Sequence, residues 1–161
     1  MRILVQYETF DVATEIAALY RSNPQVGSLV TFLGLVREAS AGEVVSTLTL
    51  EHYPGMTEKA LSGIVMEAFE RWDLIDVTVI HRVGVLLPTE PIVFVAVVSP
   101  HRGEGFAACE FIVVYLKTRA PFWKKETSPE GDRWVDARAS DDVAAGRWQA
   151  RADSNNSWRS S

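Results

Sequence analysis

The stretch from Phe111 to Glu126, FIVVYLKTRAPFWKKE, leaves the chain few ways to fold. Its apolar run suits a helix packed on a core, and Pro121 cannot continue that helix. Phe122-Trp123-Lys124-Lys125 then reads as an extended segment. Helix, corner and strand put Lys117 and Lys124 on either side of one bend. An apolar run that ends in cations and aromatics reads as the wall of a site that handles an anion.

The flanking elements follow from periodicity. Arg2–Tyr7 alternates as a strand, and Asp11 is placed to cap a helix over Val12–Arg21, which Asn23-Pro24 stops. Val26–Val36 reads as a second strand. Glu38–Glu43 reads as a polar, mobile loop and Val44–His52 as a third strand. Tyr53-Pro54-Gly55 turns into a helix over Thr57–Trp72. Val77–Val83 and Ile92–Ser99 read as an antiparallel pair joined by the irregular GVLLPTEP connection. A long helix is expected over Glu104–Arg119, with Phe106, Cys109, Val113 and Leu116 on one face. Arg133–Asp136 reads as a short strand and Asp141–Trp148 as a last helix. Strand pairs set between helices give an α+β class with mixed and antiparallel sheets. One domain over residues 1–148 is expected, with a polar, disordered tail over 149–161.

Composition narrows the function. At 161 residues the chain can bury a core without staples,. Its net charge of -5 argues against a nucleic-acid binder, whereas Lys117, Arg119, Lys124 and Lys125 form a local basic cluster suited to a small anion,. No apolar run reaches the ~18 residues that span a bilayer. The apolar patch in MRILVQYETF is too short for a signal segment, and the single cysteine fits a reducing compartment, so a cytoplasmic protein is expected,.

Candidate chemistry is sparse, which sharpens what is left. His52, His81 and His101 lack ligand spacing, so no metal or other cofactor is expected. Cys109 on an apolar helix face reads as packing rather than as a nucleophile. HRGEG (His101–Gly105) fits no nucleotide loop. It does precede a helix, where His101 and Arg102 and the free N–H groups would favour an anion; solvated surface charge explains the same residues. A lysine in a last helical turn also needs no reason beyond the helix dipole. Lys117, though, adjoins Leu116, and Lys124 follows Phe122-Trp123. Lysines desolvated in such settings are suited to act as base or nucleophile.

Several blocks read as a family signature: LEHYPGMTEKAL (Leu50–Leu61), VIHRVG (Val79–Gly84), SPHR (Ser99–Arg102), YLKTRAPFWKKE (Tyr115–Glu126) and PEGDRWVDAR (Pro129–Arg138). In order and over about Val30 to Trp148, the chain resembles the large, catalytic subunit of molybdopterin synthase. The resemblance implies an α/β hammerhead-like fold and a sulfur transferase. It implies a ubiquitin-like small subunit whose C-terminal thiocarboxylate enters a pocket of the large subunit. Sulfur would pass in two rounds to cyclic pyranopterin monophosphate, giving the dithiolene of molybdopterin. It implies a dimer of large subunits with a small subunit at each end. Carried over by position, Lys117 and Lys124 match the family's essential lysines. Arg37, His101, Arg102 and Arg138 match its anion-binding residues, and Phe32 and Glu126 fall on pocket-lining positions. Leu35 departs from the family pattern, where a polar residue is commoner. Two other readings stand beside this one. A non-catalytic module that binds a ubiquitin-like tail would not need both lysines. A phosphate-ester hydrolase would need a nucleophile or metal set, which is missing from the motifs.

Overall fold

Capping and alternation set the elements in order. The computed structural model describes residues 1–40, 43–135 and 146. β1 (Arg2–Gln6) leads to α1 (Val12–Tyr20), where the Asp11 carboxylate accepts the Thr14 N–H at 2.7 Å,. β2 (Ser28–Leu35) follows. Where a mobile loop was expected, β3 (Ala39–Ser40) and β4 (Glu43–Val44) pair as a short ladder. Next come β5 (Thr47–His52) and α2 (Met56–Arg71). Gly55, at φ 81°, starts α2, and its N–H donates to the Glu58 carboxylate at 2.7 Å. The described chain continues through β6 (Asp76–Arg82), β7 (Gly84–Leu86), β8 (Pro91–Ser99), α3 (Arg102–Arg119), β9 (Phe122–Ser128) and β10 (Gly131–Val135). The helix expected over Asp141–Trp148 and the tail after it lie outside the described residues, apart from a helical Gly146.

The class is α+β, built on two four-stranded sheets. The first runs β1-β6-β8-β2, with β1 parallel to β6 and the other pairs antiparallel. The expected β6/β8 pair is therefore present. The second runs β10-β9-β5-β7 and is antiparallel throughout. Side chains alternate between the faces of a strand, so the first sheet buries two layers. Val77, Val79, Val93, Val95 and Val97 pack against Leu61, Ile64 and Val65 of α2 and Ala108, Phe111, Ile112 and Tyr115 of α3. On the opposite face Ile80, Phe94 and Ala96 meet Val12, Ile16 and Leu19 of α1.

Two junctions join the sheets. At the first, β6 ends and β7 begins in the other sheet. Gly84 makes that bend at φ 84°, a conformation costly for any residue with a Cβ,. β7 was not foreseen, because three residues carry no usable periodicity and its pairing with β5 is long-range. At the second junction α3 stops at Arg119, and Ala120-Pro121 leads into β9.

The buried face of α3 differs from the expected one. Gly105, Ala108, Cys109, Ile112, Tyr115 and Leu116 face inward, while Phe106 is 64% exposed. The helix is apolar on nearly every side, so several helical phases fit the sequence equally well. Close packing chose among them. A Cβ on Gly105 would stand 2.9 Å from Ser99 Oγ and 3.1 Å from Val30 Cγ2.

Candidate functional site

The α3–β9 junction carries both lysines. Lys117 lies in the last turn of α3, held by the burial of Leu116 and Tyr115 beside it. Lys124 lies on β9, in register with Leu50 of β5 and Val135 of β10. Both lysines are exposed in this chain, so the desolvated setting expected for them is not present here. The reason is phase: Lys117 sits ~100° round the helix from buried Leu116.

The rest of the basic cluster is engaged in structure. The Arg119 guanidinium covers the Tyr115 ring at 3.6 Å and pairs with Glu67 at 3.0 Å. Lys125 pairs with Asp132 at 3.3 Å. Asp132 also accepts from the Thr127 hydroxyl, and these two contacts hold its carboxyl below the usual carboxylate range,.

Arg37 belongs to the Lys124 side. It follows Val36, which packs with Leu48 and Leu50, the strand partners of Glu126 and Lys124. Glu126 itself accepts from Arg133 at 2.9 Å. Phe32 is half-buried on β2 and packs on the main core. Arg138 lies outside the described residues.

His101 and Arg102 are elsewhere. They begin α3 and, with Gly27, Pro100 and Gly103, line an open depression of about 430 Å³. First-turn N–H groups there have no intrahelical partner and suit an anion. Arg102 and Lys117 are separated by fifteen helical steps, roughly 22 Å at ~1.5 Å each. One chain therefore gathers Lys117, Lys124, Arg37 and Glu126 near one end of α3 and leaves His101 and Arg102 at the other.

The comparisons with known proteins bear on this arrangement. The family model described as "MoaE protein" matches residues 5–119, more than half of the chain. The chain belongs to the MoaE family. The molybdopterin synthase catalytic subunit of Ralstonia nicotianae is 60% identical over 146 residues, covering 91% of this chain and 83% of that protein. The subunit of the same name from Escherichia coli is 56% identical over 147 residues, covering 91% and 97%. Among solved structures, the molybdopterin biosynthesis MoaE protein from Burkholderia ambifaria aligns with a TM-score of 0.79 at 55% identity, covering 92% of this chain and 97% of that one.

Within this MoaE fold one residue near Lys124 escaped the sequence reading. His81, judged only for metal spacing, is buried on β6 with its ring stacked on Phe122. Burial, reinforced by the positive charges of Lys124 and His52, pushes its pKa down to about 4, although its bond to the Arg82 carbonyl acts the other way,. A signal was available: a lone imidazole inside the apolar run VTVIHRV. Cys109 is buried in the main core, and burial pushes its thiol up to about 11. It packs, as expected.

Proposed function

We propose that this chain transfers sulfur as the catalytic subunit of a molybdopterin synthase. The donor is the C-terminal thiocarboxylate of a ubiquitin-like small subunit, and the acceptor is cyclic pyranopterin monophosphate. The observation that carries the reading is the placement of Lys117 and Lys124 on the two sides of one helix-to-strand corner, in a chain whose relatives bear that enzyme's name. A subunit called catalytic works beside another subunit, which supports a separate sulfur carrier. With sulfur arriving on the partner, no thiol is required here, and a buried Cys109 agrees with that.

The residues divide the work by charge. As the thiocarboxylate reacts, negative charge develops on its oxygen, and the Lys117 ammonium stabilises it. Lys124, on the facing strand, moves the proton that ring opening requires. Both groups are exposed in the isolated chain, so an entering tail supplies the apolar cover that excludes water,. The extended segment Arg119–Lys125 is the stretch beside which such a tail lies.

The substrate phosphate needs cations, and His101 and Arg102 at the far end of α3 are suited to hold it. They lie too far from Lys117 in one protomer for one small molecule. A two-fold pair with antiparallel α3 helices brings the start of one helix to the end of the other, so the site is completed by a second copy. The assembly is then a dimer of this chain with a small subunit at each end, working in the cytoplasm.

Reconstitution tests the reading. The chain, a thiocarboxylated small subunit and the pterin precursor are expected to yield the dithiolene product. Lys117→Ala and Lys124→Ala are each expected to lose nearly all transfer while remaining folded. Absence of product with the unaltered chain, or full transfer by Lys117→Ala, overturns the reading.

A further inference from the structure

Lys117 and Lys124 belong to different bodies. The position of Lys117 follows α3, which packs on the first sheet, while Lys124 is part of the second sheet. Only the Ala120-Pro121 corner connects them directly. Any slip of one sheet against the other would change the spacing of the two ammonium groups.

One contact pins that corner. His81 lies on β6 of the first sheet, on the same face as Val77 and Val79,. Phe122 is the first residue of β9 in the second sheet, two positions before Lys124 and so on the same face as it,. The two rings stack with centroids 3.7 Å apart and planes within 15°. His81 Nδ1 lies 2.8 Å from the Arg82 carbonyl oxygen, to which it donates,. That bond fixes the ring's orientation. Arg82 is itself held by the carbonyls of Tyr7 and Pro91, at 3.3 and 3.1 Å. The corner has a second neighbour: the buried Thr57 hydroxyl lies 3.4 Å from the Pro121 carbonyl oxygen, though it donates mainly to Tyr53 at 3.0 Å.

We infer that His81 is a positioning residue for sulfur transfer: its ring, stacked on Phe122, fixes the corner that sets Lys124 against Lys117. This rests on reading the two lysines as the reacting groups. The residue type fits the task in three ways. A flat ring matches the Phe122 face. A ring N–H reaches the Arg82 carbonyl. A buried imidazole stays neutral, so it adds no second cation beside Lys124, as lysine or arginine would.

The test uses the full chain with the thiocarboxylated small subunit and the pterin precursor. His81→Leu keeps bulk but loses the flat face, and kcat is expected to fall roughly 10- to 100-fold, the cost of an ångström-scale misplacement. KM for the precursor is expected to hold within about two-fold, because binding contacts are untouched. His81→Phe restores the flat face and most of kcat. A short amine-reactive crosslinker between Lys117 and Lys124 gives a readout independent of activity: its yield falls in His81→Leu and recovers in His81→Phe. If His81→Leu does not fold, Phe122→Leu removes the other half of the stack and is expected to show the same two losses. Lys124→Ala is run beside them. A dead Lys124→Ala next to a folded stack variant with unchanged kcat and crosslinking overturns the inference alone. An active Lys124→Ala overturns the lysine reading and the inference with it.

Discussion

Two buried residues show how surroundings decide what a side chain does. Cys109 is a potential nucleophile by type, but burial raises its thiol to about 11, leaving almost no thiolate near neutral pH,. Alkylation of the native protein is expected to be far slower than after denaturation, and Cys109→Ala is expected to keep full transfer activity. An inactive but stable Cys109→Ala would contradict this. His81 is shifted the other way, from 6.5 to about 4, so it stays neutral in the fold. Between those two values the unfolded chain binds the extra proton, and stability therefore rises with pH across that window. The contribution is complete above the unfolded value and is lost as pH falls towards the folded one. Near pH 5 the protein is expected to lose about 2 kcal/mol through this group relative to about pH 7.5. Urea titrations of the unaltered chain and His81→Phe at both pH values check it; the variant lacks this part of the slope.

At the scale of elements, two glycines set how helices and strands meet. Gly105 lets α3 lie close on the start of β2. In Gly105→Ala the new Cβ meets Ser99 Oγ at 2.9 Å, Val30 Cγ2 at 3.1 Å and Ser28 Oγ at 3.2 Å. Buried serine and valine have little room to give, so a loss of about 1–3 kcal/mol is expected in chemical denaturation. Gly84 has a different role, turning the chain from one sheet to the other at φ 84°. A Cβ there would come within 2.8 Å of the Tyr7 ring, but Tyr7 is 67% exposed and can swing aside. The cost of Gly84→Ala is then mostly backbone strain, about 1–2 kcal/mol. Tyr7→Ala in the same background is expected to recover little of it.

For the whole molecule, the length of α3 becomes a question of assembly. His101 and Arg102 at one end and Lys117 at the other cannot serve one small substrate within one protomer. Mixing two inactive chains, Lys117→Ala and Arg102→Ala, separates a shared site from a private one. With random exchange, half of the dimers are mixed, and each holds one intact site of two. Activity is then expected to return to roughly a quarter of the unaltered level. A mixture that exchanges subunits and stays dead rules the shared site out.

The sequence by itself determined the local elements and the chemical cast. Asp11 capped its helix because a carboxylate satisfies an orphan N–H whatever the tertiary setting,. Pro121 ended α3 because it cannot continue a helix. The family blocks marked the two lysines, a resemblance that no pattern of charge or periodicity could replace. Tertiary structure decided what depends on partners far along the chain. It chose the buried face of α3 through contact at Gly105, where an all-round apolar helix left the phase open. It recruited Gly84–Leu86 as a strand through pairing with Thr47–His52. It laid His81 on Phe122, forty-one positions away, and parted His101 and Arg102 from the lysines by the length of a rigid helix. Local rules act within a few residues, whereas packing and distance across the molecule exist only once the sheets have formed.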